Sequence, residues 1–78
     1  MSKIITLDKL KINEIAKVIS IDSKCELKRR LEDLGIIKGS TIKCEFTSPF
    51  KDPTAYLIKG CTIAIRNDTS KYIKVKKI

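Results

Sequence analysis

The sequence predicts an all-β chain with one short helix, folded as a small, partly open barrel of about five strands. Three observations point there. Short stretches rich in β-branched residues recur along the chain, turn-forming residues separate them at close intervals, and a single segment carries helical spacing. With 78 residues and no repeat, low-complexity tract or Gly/Ser/Pro linker, residues 1–78 read as one domain. A chain of this size buries only about 60% of the surface it exposes when unfolded. Nearly every apolar residue is therefore needed for the core, and few remain to build a deep pocket.

Thr6-Leu7-Asp8-Lys9-Leu10 reads as a capped single turn, with Thr6 placed to accept a hydrogen bond from a backbone N–H. Residues 14–21 follow as a strand containing Ile15, Val18, Ile19 and Ile21, whose imperfect alternation leaves both faces partly apolar. Ser23 and Glu26 have the S-x-x-E spacing of a capping box, so a helix is expected to begin there. Leu27, Leu31 and Leu34 recur at i, i+4 and i+7, which predicts a stripe facing the core. Lys28, Arg29, Arg30 and Glu32 fill the other face. Gly35 is placed to end the helix in a left-handed conformation, and Gly39 to make a turn before the next strand.

In that strand Ile42, Cys44 and Phe46 alternate with Thr41, Lys43 and Glu45, the pattern of burial on one side. Ser48-Pro49-Phe50-Lys51-Asp52-Pro53 is a loop, because each proline removes a backbone donor and restricts the residue before it. Residues 54–59 and 61–66 read as a hairpin joined at Gly60. Residues 67–71 form a polar turn, and 72–77 the last strand.

Composition narrows the function. The 17 Lys and Arg against 9 Asp and Glu give a formal net charge of +8, which attracts nucleic acid, anionic lipid surfaces or an acidic protein face. The lysines run the whole length, as they would if they only solvated strand faces and blunted edges. Nucleic acid is the less favoured partner: with two Phe, two Tyr and no Trp, the chain lacks the aromatic platforms on which bases stack. Enzyme chemistry is not expected. There is no histidine for acid–base work near neutral pH, no phosphate-cradling Gly-rich loop and no nucleophile elbow.

Cys25, Cys44 and Cys61 are odd in number and widely spaced, which argues for reduced thiols and against both a disulfide framework and a metal site. No cofactor is expected. The longest apolar run is the four residues from Ala55 to Ile58, where a membrane-spanning helix needs about 20. No signal peptide is visible at the N-terminus, so the expected location is the cytoplasm, without membrane insertion.

The segment Leu27-Lys28-Arg29-Arg30-Leu31-Glu32-Asp33-Leu34-Gly35-Ile36-Ile37-Lys38-Gly39 resembles the signature of the FeoA family, small cytosolic proteins of bacterial ferrous-iron uptake. The loop from Ser48 to Pro53 is similar to that family's proline-bounded loop, and Gly60-Cys61-Thr62-Ile63-Ala64-Ile65-Arg66 to its hairpin, with Ile73 and Val75 at family spacing. Two positions depart from the pattern. Asn13 stands where relatives commonly carry Gly, and asparagine best tolerates a left-handed conformation among the other residues. Lys51 stands where a small residue is usual, which bears on the loop's partner. Arg66 has a plain structural use, pairing with an acidic group or capping a carbonyl near the barrel mouth.

The resemblance implies an SH3-like barrel that supports or regulates a membrane ferrous-iron transporter with a cytosolic GTP-binding domain, by protein contact. The fold alone would also permit another metal-regulatory role, since a related domain ends metal-dependent repressors of the diphtheria-toxin-repressor type. Contact candidates are Lys28, Arg29 and Arg30 on the helix, and Pro49, Phe50, Asp52 and Pro53 in the loop. Phe50, an aromatic between prolines, is either a rigid anchor for the partner or a lid folded back on the core. Direct carriage of ferrous ion would need converging oxygen or imidazole ligands, and no cluster in the sequence guarantees them.

Overall fold

Six short strands, where about five were expected, form one sheet in the computed structural model, which describes residues 3–50 and 52–78. They are β1 (Ile4–Thr6), β2 (Ile15–Ile21), β3 (Thr41–Thr47), β4 (Thr54–Ile58), β5 (Cys61–Ile65) and β6 (Ile73–Lys77). A 3₁₀ turn (Leu7–Lys9) follows β1, a six-residue helix α1 (Lys28–Asp33) precedes β3, and a one-turn helix α2 (Asn67–Ser70) precedes β6. Every neighbouring pair is antiparallel in the order β1-β6-β2-β3-β4-β5.

The strand missing from the sequence reading is β1. Three residues are too few to establish an alternation, and pairing with β6, Ile4 opposite Lys76 and Thr6 opposite Lys74, is what defines it. The Thr6 hydroxyl makes no capping bond; the turn closes instead through the Leu10 N–H, which donates to the Leu7 carbonyl at 3.0 Å.

The capping box does not form either. Asp22 takes over the turn, its Oδ1 accepting the Lys24 N–H at 2.9 Å and its carbonyl the Cys25 N–H at 3.0 Å. The helix then starts later, at Lys28, with no side-chain cap. The expected polar turn at residues 67–71 is α2, whose Ser70 is fully buried.

Two register shifts decide which residues face inward. The shift between Val18 and Ser20 on β2 lets Ala16, Val18 and Ile21 all enter the core, which accounts for the broken alternation. The shift between Cys44 and Phe46 on β3 reverses the expected direction of one side chain. Ile42 and Cys44 are buried as the pattern predicts, but Phe46 is turned out to solvent.

Positive φ falls where the sequence allows it. Asn13 sits at φ 72° and its N–H donates to the Cys44 carbonyl at 2.7 Å. Gly35 has φ 104°, and a Cβ there would stand 3.1 Å from Lys59 Cδ. Lys59 and Gly60, at φ 50° and 81°, are the two central residues of the β4–β5 hairpin, as a type I′ turn requires.

The core gathers Leu7, Ile36, Ile42, Ile58, Ile73 and Val75 around Tyr56. The Tyr56 hydroxyl donates to the Leu7 carbonyl at 3.3 Å. Leu7 follows the strand at one end of the sheet order and Tyr56 lies one strand from the other end, so this bond spans the opening of the barrel.

Burial, first among the causes, pushes the Tyr56 phenol up to about 12, while hydrogen bonds with Thr54 and Ser70 offset part of the rise. An unfolded tyrosine loses its proton near pH ~10. Between that pH and about 12 the folded chain keeps a proton that the unfolded chain has released, so stability falls as pH rises, by up to about 3 kcal/mol. Tyr56→Phe is expected to lose about 0.5–1.5 kcal/mol near neutrality and to show a shallower alkaline decline than the parent chain. Urea unfolding of both at about pH 8 and about pH 11 measures it.

Candidate functional site

A helix of six residues cannot bury the whole leucine stripe that brackets it. Leu31, inside α1, is 5% exposed and belongs to the core. Leu27 is the residue before the first helical turn (φ −96°, ψ 11°) and Leu34 is the one that ends it (φ −80°, ψ −5°). They flank the helix at its two ends, and they remain 47% and 44% exposed. The expectation of a core-facing stripe thus holds for one leucine of the three.

Leu27 and Leu34 instead line a groove of about 260 Å³ whose other wall is Ile63 and Ile65 of β5. The guanidinium-bearing Arg30 and Arg66 also line it, with Leu31, Ala64 and Thr69. β5 is the last strand of the sheet order, so no described strand pairs along its outer edge. The site therefore combines aliphatic side chains with cationic ones, the composition that receives an apolar segment bearing acidic groups.

The loop at residues 48–53 is tied from within. Ser48 Oγ donates to the Asp52 carbonyl at 2.7 Å and accepts the Asp52 N–H at 3.1 Å, and the Ser48 N–H donates to the Pro53 carbonyl at 3.1 Å. Asp52 Oδ1 accepts the Asn67 N–H at 2.8 Å, fastening the loop to the start of α2. Phe50 projects from this loop at 91% exposure, so it is no lid on the core. Pro49 is exposed and Pro53 half-buried. Lys51 lies outside the described residues.

Register sets where this loop joins the groove. Thr54, just after Pro53, pairs with Ile65, so the loop enters β4 beside the Ile65 and Arg66 end of the groove. Of the cationic helix residues, Arg30 lines the groove, while Lys28 and Arg29 do not. The apolar lining, Leu27, Leu34, Ile63 and Ile65, escaped the sequence reading. A usable signal was Gly35: a left-handed glycine immediately after Leu34 places that leucine on the last, unwinding turn.

Among the described residues no group of three or more His, Cys, Asp and Glu side chains is placed to hold a metal ion. Cys25 and Cys44 are buried and Cys61 is exposed at the hairpin, all three free thiols. Burial, reinforced by Glu14 and Glu45, pushes the Cys44 thiol up. No helix among the described residues is long and apolar enough to cross a membrane.

The FeoA domain model matches residues 5–77. The chain belongs to the FeoA family. A FeoA-like protein from Clostridium acetobutylicum superposes with TM-score 0.90 at 32% identity, covering 100% of this chain and 91% of that one. FeoA from Chlorobium tepidum gives 0.88 at 28% identity over 95% of this chain and 70% of its own. The zinc complex of Stenotrophomonas maltophilia FeoA, described as a prokaryotic SH3 domain protein and a candidate ferrous iron transport activating factor, gives 0.81 at 25% identity, covering 91% and 88%. No curated protein sequence matches the chain. The six-stranded antiparallel sheet with its short helix is accordingly the SH3-like fold of FeoA proteins, a family associated with ferrous iron transport.

Burial separates the leucines experimentally. Leu31→Ala is expected to cost about 2–5 kcal/mol, and Leu27→Ala or Leu34→Ala less than about 1 kcal/mol each. Urea denaturation of the three variants checks the ranking, and a loss at Leu27 or Leu34 equal to that at Leu31 would put them in the core.

Proposed function

We propose that this FeoA domain is a cytosolic accessory factor of bacterial ferrous-iron uptake. It acts by direct contact with the cytosolic, GTP-binding part of the membrane ferrous-iron transporter, and the groove between α1 and β5 is the contact. One observation carries the reading. A family signature centred on the helix leaves two of its leucines, Leu27 and Leu34, out of the core and lining, with Arg30 and Arg66, an apolar groove.

Fully burying a leucine side chain is worth about 1.5–3 kcal/mol, and in a chain this small two half-exposed leucines forgo part of that gain unless a partner covers them. The two arginines give the groove a preference for acidic flanks and fix register more than they add affinity. Phe50, held out on a loop that Ser48 and Asp52 fasten, supplies an aromatic anchor beside the groove. Lys28 and Arg29 extend the positive charge outside the groove and speed encounter with an acidic surface. In this reading Asp52 contributes by shaping the loop, since its carboxylate is occupied by the Asn67 N–H.

The test is binding of the purified chain to the ferrous transporter in detergent, titrated with salt. The parent chain is expected to bind saturably, with affinity that falls as salt rises. Leu27→Ala combined with Leu34→Ala should weaken binding by about tenfold or more, since central interface residues commonly cost over ~1 kcal/mol each. Phe50→Ala should weaken it without lowering the unfolding midpoint. Unchanged binding in the leucine double variant would remove the groove from the contact.

A further inference from the structure

The outer face of the sheet carries a second surface that the groove does not explain. Register brings Ile4, Lys76, Lys17 and Thr41 into one row across β1, β6, β2 and β3, with Lys76 directly opposite Lys17. Lys74 lies in the next row, opposite Thr6 on one side and Ser20 on the other. Ile15 stands opposite Lys43, and the Ile78 N–H donates to the Ile15 carbonyl at 3.0 Å. Lys17, Lys74, Lys76, Ile4, Ile15 and Ile78 are all exposed.

Two ordinary uses of lysine do not account for this placement. Edge protection does not, because β2 and β6 are interior strands of the sheet. Internal pairing does not, because Glu14 takes Lys77 and Glu45 takes Lys43, and among the described residues Lys17, Lys74 and Lys76 make no ion pair. Like charges directly opposite on neighbouring strands are destabilising. A chain of marginal size nevertheless keeps two lysines in that relation at the middle of the face.

We propose that this face binds an anionic lipid surface. Interleaved lysines and exposed isoleucines on one sheet face are the chemistry of a membrane interface: aliphatic side chains enter the headgroup and acyl boundary while lysine stems lie along it and their ammonium groups meet lipid phosphates. No aromatic side chain stands in these rows, so they offer no platform for stacked bases. The surface goes beyond the groove. It lies on other elements, and it would set the domain against a bilayer whichever protein occupies α1 and β5.

The experiment is co-sedimentation of the full chain with vesicles of phosphatidylglycerol and phosphatidylcholine, against phosphatidylcholine alone, over a salt series. Binding is expected only to the anionic vesicles and should weaken with salt. A lysine near such a surface multiplies partitioning by roughly fivefold, so Lys17→Glu, which removes one charge and adds its opposite, should weaken binding by about 25-fold. The same substitution places a carboxylate opposite Lys76, so its unfolding midpoint should be equal to or above the parent's. Ile15→Ser should weaken vesicle binding with a smaller change in salt dependence, whereas Lys28→Glu, on α1 and away from this face, should weaken it far less than Lys17→Glu. Absence of binding to anionic vesicles at low salt overturns the proposal, as does a Lys17→Glu variant that binds as the parent does. Tighter binding to a duplex oligonucleotide than to the vesicles overturns it in favour of nucleic acid.

Discussion

The bond from the Tyr56 hydroxyl to the Leu7 carbonyl joins two parts of the chain that strand pairing leaves apart. Ladders run from β1 through β6, β2, β3 and β4 to β5, and nothing in their sequence of pairings returns the sheet to its start. Tyr56 does so, with its ring among the core aliphatics and its hydroxyl on the turn after β1. An aromatic with one polar group suits the place: the ring fills the space between the two ends while the hydroxyl donates to the Leu7 carbonyl, which also accepts the Leu10 N–H. Among the described residues no buried side-chain polar atom lacks a partner. Thr54 and Ser70 share this polar knot, which links β4 to α2 and so holds the arm that carries Arg66 and Thr69 to the groove.

From that closure the surfaces follow by register. The pairing of Val18 with Val75 and of Ala16 with Ile42 fixes the inner face, and the residues between them, Lys17 and Lys76, have no choice but the outer one. The shift after Cys44 sends Phe46 outward by the same rule. At the other end, Gly35 turns the chain sharply after α1, and its missing side chain leaves room for the Lys59 stem. The helix is held to six residues, so its flanking leucines stay at the surface above β5.

Much of this was legible in the sequence, and the failures share a cause. Strands with local signals were found: the β4–β5 hairpin from Gly60, the loop from its prolines, and the left-handed turns at Asn13 and Gly35 from residues that tolerate them. Features decided by a distant partner were not. β1 is a strand only because β6 lies beside it, Phe46 points outward only because β3 is shifted against β4, and Ser23 and Glu26 lose their capping role because Asp22 makes the turn. Of the candidate site, Arg30 was readable and Phe50 was left open between anchor and lid, whereas Leu27 and Leu34 were assigned to the core by a periodicity that takes no account of helix length. Ile63 and Ile65 became groove residues only when the topology put β5 at the end of the sheet.

The proposed function rests most directly on which surface meets the transporter. Backbone amide NMR of the labelled chain, titrated with the transporter's cytosolic domain, reads this residue by residue. The account predicts perturbed amides around Leu27, Arg30, Leu34, Ile63 and Arg66, with Lys17, Lys74 and Lys76 unaffected in the absence of lipid. Perturbations confined to β1, β6 and β2, with the groove silent, would contradict it.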